Sequence, residues 1–136
     1  MNKKPENDYI DYGVYIDRKK AFIISLNHLV HEAFMDEETQ ENEAENVRKT
    51  NVNQQEHIQN HKNEGLRKFC RSIILKLENA HRILIFGPSM SKFELQNELR
   101  ENKQLKYVSE ELHVSDIMDK DAALRFVKDH YTLAKV

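Results

Sequence analysis

The sequence predicts a three-layer α/β/α domain built on a mixed five-stranded sheet, and three observations carry that prediction. Two short runs of aromatic and β-branched residues flank the polar turn Asp17-Arg18-Lys19-Lys20, the pattern of an antiparallel hairpin. Farther along, two strand-like stretches each follow a helical one, and right-handed crossovers make such strands parallel to an earlier neighbour. One of these stretches, Ile83-Leu84-Ile85-Phe86, is apolar without alternation, as a strand covered on both faces requires.

Taken in order, Met1 to Asp8 is a polar tail. Tyr12 to Ile16 and Ala21 to Leu26 form the hairpin strands, although their turn lacks the Asn-Gly or Asp-Gly pair that would pin its register. A third strand is expected over His28 to Phe34. From Asp36 to Asn53 the apolar residues are only Ala44, Val47 and Val52. Such a segment buries too little surface to offset its ordering entropy, so it reads as a mobile acidic insertion, either a solvated linker or a functional loop. Leu66, Phe69, Cys70, Ile73, Ile74 and Leu77 then fall at the spacing of one helical face. This helix starts near Gln54 or near His61, and Gly65 costs it about 1 kcal/mol.

Gly87-Pro88 ends the buried strand, since proline offers no amide to a ladder. Ser91 and Glu94 fit a capping box, and Met90 and Leu95 a hydrophobic staple, which predicts a helix from Lys92. A short strand is expected near Leu105 to Ser109. The last helix has Asp119 as its N-cap, Asp121 in its first turn, and Ala123, Phe126, Val127 and Tyr131 on its buried face. The resulting β-β-β-α-β-α-β-α order over residues 9–136 is the arrangement of the ribonuclease H-like motif.

At 136 residues the length fits one domain. No apolar run approaches a membrane span, and the N-terminal stretch lacks the apolar centre of a signal peptide, so the expected location is cytoplasmic. The single cysteine, Cys70, agrees with a reducing compartment and reads as core packing. Six acids between Asp36 and Glu45 dominate the formal charge of −2, and removing them leaves the remainder at about +4. That mild excess does not fit a domain that binds free RNA or DNA on its own.

Several residues are of types that carry chemistry. Asp17 ends the first strand where enzymes on this architecture hold a divalent metal, but the strand ending at Gly87 supplies no second acid, so a turn role fits it better. Gly87, Pro88 and Ser89, with Lys92 beyond them, form a candidate anion cradle at a helix start, without the Gly-Lys-Ser/Thr ending of a nucleotide loop. His57 and His61, with Glu64, lie at helical spacing in an order that no zinc protease uses. His28, His31, His81, His113 and His130 show no ligand spacing. No catalytic residue, metal or cofactor is therefore assigned from the sequence.

Three separated stretches resemble a known family. YGVYIDRKKAFIISL is similar to the opening hairpin of the middle domain of archaeal and eukaryotic class-one peptide-chain release factors and of the related rescue factor Pelota. GLRKFCRSIILKLENA resembles that domain's long central helix, and ILIFGPSMSKFELQNEL its strand, Gly-Pro turn and following helix. The resemblance extends to small stand-alone bacterial proteins described as translational-machinery-component-like. It implies the fold and an association with the ribosome or tRNA. The family's catalytic Gly-Gly-Gln tip has no match here, since the corresponding region reads Asn51-Val52-Asn53-Gln54-Gln55-Glu56. The expected function is thus a non-enzymatic binding protein of the translation machinery, related to stress or rescue, without peptidyl-tRNA hydrolysis. Arg18, Lys19, Lys20, Arg67, Lys68 and Arg71 are the expected RNA-facing groups. Neither a membrane nor DNA is an expected partner, and the oligomeric state is open. The alternative is a metal-dependent hydrolase of nucleic acid or nucleotides acting through Asp17.

Overall fold

The computed structural model describes residues 9–26, 29–41 and 64–134. The polar tail, His28, the larger part of the acidic insertion, His57, His61 and both starts expected for the long helix, near Gln54 and near His61, lie outside the described residues. Five strands form one sheet: β1 (Ile10–Ile16), β2 (Lys20–Ser25), β3 (Val30–Phe34), β4 (Ala80–Gly87) and β5 (Ser109–Val114). Their spatial order is β3-β2-β1-β4-β5. The β1–β2 and β2–β3 pairs are antiparallel, whereas β1–β4 and β4–β5 are parallel. The mixed five-stranded sheet expected from the sequence is therefore the one observed, with the crossovers where the helices required them.

Helices α1 (Glu64–Ile74) and α2 (Ser91–Glu101) cover one face and α3 (Lys120–Ala134) the other. Side-chain alternation along β1 supplies both cores. Tyr12, Val14 and Ile16 pack with Leu66, Phe69, Cys70, Ile73, Leu95 and Leu99 on the first face. Tyr15 meets Phe22, Leu84, Phe86, Val127 and Tyr131 on the second. Each large apolar side chain buried this way contributes on the order of 1.5–3 kcal/mol. Gly13 faces α3, where an added Cβ would lie 2.2 Å from Cγ2 of Val127. The polar ends of the buried tyrosines are satisfied, Tyr12 by the Glu78 carbonyl at 2.8 Å and Tyr131 by the Tyr12 carbonyl at 2.7 Å. Among the described residues no helix is long and apolar enough to cross a membrane.

Three local expectations are corrected. The last strand is Ser109–Val114 and not Leu105 to Ser109. Pairing with β4 begins at Arg82↔Ser109, while Leu105 and Val108 pack against the core from the turn that precedes the strand. The capping box does not form. Helix α2 begins at Ser91 with Met90 in the cap position and no side-chain cap bond, and the Ser91 hydroxyl is buried without a partner. The staple is absent as well, because Met90 is 72% exposed while Leu95 is fully buried. Finally, the beginning of the acidic segment is ordered. Residues 37–41 are helical, capped by Asp36, whose Oδ1 accepts the Thr39 amide at 2.7 Å. Gly65 admits this turn, since its Cβ would stand 2.1 Å from Oγ1 of the buried Thr39.

Candidate binding site

Because β1 and β4 run parallel, the hairpin turn after Ile16 and the loop after Gly87 emerge side by side at the carboxyl edge of the sheet. Ligands of open α/β sheets usually bind at that edge. The two connections border a cleft of about 670 Å³, with Arg18, Lys19, Pro88 and Ser89 on its walls, Ile117 from the segment before α3, and Glu37, Gln40 and Glu41 from the short helix opposite.

Asp17 organises the turn. Its Oδ1 accepts the amides of Lys19 at 2.7 Å and Lys20 at 2.9 Å. Its Oδ2 accepts the Tyr15 hydroxyl at 2.8 Å and the Lys20 ammonium at 3.0 Å. Burial pushes this carboxyl up, but the Lys19 amide, the Tyr15 hydroxyl and the Lys20 contacts outweigh it and hold the group below the ordinary aspartate value. Tyr15 in turn accepts the Met118 amide at 3.1 Å, tying the turn to the segment before α3. Every oxygen of Asp17 is thus committed to shaping a loop. The turn is rigid at its base while Arg18 and Lys19 stand exposed at its tip, with no side-chain hydrogen bond or ion pair found for either among the described residues.

The Gly-Pro loop is built from inside. At Gly87 the backbone has φ +156° and an added Cβ would lie 2.0 Å from the Ile16 carbonyl, so no other residue fits. Ser89 Oγ accepts the Ser91 amide at 3.2 Å. Lys92, expected to reach an anion, turns inward: it is 2% exposed and its ammonium donates to the Ser89 carbonyl at 2.6 Å. Burial pushes its pKa down. The lysine supports the loop and does not face the cleft.

The predicted basic set separates into three places. Arg18, Lys19 and Lys20 share the cleft with Pro88 and Ser89. Arg67 and Arg71 lie in a different groove between α1 and α2, beside Glu94, Glu98 and Glu101. Arg71 pairs with the buried Glu98 at 2.9 Å. Lys68 stands elsewhere again, against Thr39 and Gly65. The acids of α2 offset the helix arginines locally, whereas on the hairpin Lys20 pairs with Asp17 and Arg18 and Lys19 extend into solvent.

A second constellation has no counterpart in the sequence reading. Glu111 and His113 on β5 meet His130 of α3, with Glu111 Oε2 at 3.0 Å from His113 Nε2 and Oε1 at 3.4 Å from His130 Nε2. The Glu-x-His spacing in a strand is a usable signal, since alternate residues share a face. His130 carries none, because only the packing of α3 brings it there.

No family model and no curated relative matches the chain. Among solved structures, an archaeal translation termination factor, aRF1, is similar at 14% identity with a TM-score of 0.42, over 96% of this chain and 40% of that one. The chain therefore spans about two fifths of that protein's length.

Proposed function

We propose that this chain is a non-enzymatic binding protein of the translation machinery that docks on ribosomal or transfer RNA through the tip of its 17–20 turn. The observation that carries the reading is the turn itself: four hydrogen bonds to one buried carboxylate hold it, and they project Arg18 and Lys19 into solvent. A preordered basic tip loses little entropy on meeting a phosphate backbone. Glu37 and Glu41 across the cleft repel phosphate, which favours a contact on the outer side of the turn. The three-part resemblance to release-factor middle domains supplies the translational context, and the unmatched Gly-Gly-Gln tip favours binding without hydrolysis.

Sedimentation of cell lysates through sucrose tests it. The chain is expected to travel with ribosomal particles in growing or starved cells, and the Arg18→Glu/Lys19→Glu variant to remain at the top. With two phosphate contacts, raising salt from about 50 to 200 mM should weaken binding about tenfold. A protein that never leaves the top of the gradient overturns the proposal. So does magnesium- or manganese-dependent turnover of nucleic acid that disappears in Asp17→Ala.

A further inference from the structure

We propose that Glu111, His113 and His130 form a binding site for a divalent transition-metal ion of the zinc class, at the outer edge of the sheet and away from the basic turn. The strand period puts Glu111 and His113 on one face of β5. His130 is placed by its neighbour Tyr131, which is buried in the second core and bonded to the Tyr12 carbonyl. The three rings around the site are packed against one another, His130 edge-on to Tyr131 at 5.1 Å and to His113 at 5.5 Å. One carboxylate thus presents an oxygen to each of two imidazole nitrogens, at 3.0 and 3.4 Å.

Those separations lie near the ones a coordination sphere requires. One ligand atom from each residue can be chosen so that all lie within 4.8 Å of one another. Tetrahedral zinc with bonds of about 2.0–2.1 Å needs ligand atoms roughly 3.3 Å apart. Side-chain rotations of the exposed Glu111 and of His113 would close the set around an ion. Two nitrogens and one oxygen suit a borderline ion such as Zn²⁺, Co²⁺ or Ni²⁺, whereas magnesium and calcium call for oxygen donors. Three protein ligands at a partly exposed edge leave a fourth position for water. A bound ion would clip the edge strand β5 to α3.

Isothermal titration of the full, untagged chain with Zn²⁺, and the visible spectrum of its Co²⁺ form, test the proposal. One equivalent is expected, with four-coordinate Co²⁺ bands. His113→Ala, His130→Ala and the shape-preserving Glu111→Gln should each weaken binding about tenfold or more, while His31→Ala leaves it unchanged. Circular dichroism confirms that each variant is folded. The proposal fails if no ion binds up to the order of 1 mM, or if the three variants bind as tightly as the parent. It fails equally if binding survives in His113→Ala/His130→Ala and is lost in His57→Ala/His61→Ala.

Discussion

Asp17 shows how much of one loop a single carboxylate determines. Removing it strands the buried Tyr15 hydroxyl and two part-buried backbone amides, so Asp17→Ala should cost about 1–3 kcal/mol. Its pKa is lower in the folded chain than the ordinary 3.8. The stabilisation is therefore fully present above that value and is lost as pH falls through the folded one. Urea unfolding at pH 7 should show the whole difference between parent and variant, and the difference should shrink as pH falls below 3.8. Ser91 gives the opposite test. As an N-cap it would be worth about 1 kcal/mol, yet its hydroxyl is buried without a partner. Ser91→Ala is therefore expected to melt at the same temperature as the parent or higher, and a clear fall in melting temperature would restore the capping-box reading.

Elements were legible in the sequence where burial alone decides them. The two-sided apolar run of β4, the hairpin runs and the apolar face of α1 are each dictated by their own residues, and Asp119 caps α3 as expected, its Oδ1 accepting the Ala122 amide at 2.8 Å. Elements settled by distant partners were not. β5 carries no fully buried residue, and its register comes from Arg82 to Gly87 on β4. The candidate site divides the same way: the pairing of Asp17 to Lys20 with Pro88 and Ser89 follows from the parallel β1–β4 register, but no pattern announces that Lys92 turns inward or that His130 meets Glu111. Gly65 looked like a defect in α1 until the 37–41 turn appeared against it. Gly65→Ala is therefore expected to destabilise the chain despite alanine's better helix propensity. Adding Thr39→Ala removes the oxygen at 2.1 Å and should recover up to about 1 kcal/mol. Chemical denaturation of the two single variants and the double variant measures that coupling, and additive effects would contradict the contact.

Among the described residues, charge is arranged so that Arg18 and Lys19 stand exposed at one edge of the sheet while the α1–α2 groove pairs its arginines with acids. That groove concentrates acid. Glu94 and Glu98 lie one turn apart on α2, and Glu98 also accepts Arg71. Burial, then the hydrogen bond and repulsion from Glu98, push the Glu94 carboxyl above its ordinary 4.5. At the other end of the sheet, Arg82 and His81 hold Asp11 below its ordinary value against the opposing pull of burial. The two linkages have opposite signs. Asp11 stabilises the fold above the normal carboxylate range and loses that contribution in acid. A raised Glu94 binds its proton more tightly in the folded chain, so its ionised form is a penalty at neutral pH that fades as pH falls below the folded value and is gone below the ordinary 4.5. Glu94→Gln should therefore raise stability at pH 7 by about 0.2–0.5 kcal/mol, the usual size of one repulsive pair at this spacing. Below about pH 4 both carboxyl forms are protonated and the variant should match the parent. Melting curves of the two proteins across that range decide it: a gain that persists in acid would point to helix propensity, and a loss at pH 7 would show that Arg67 and Arg71 need both charges.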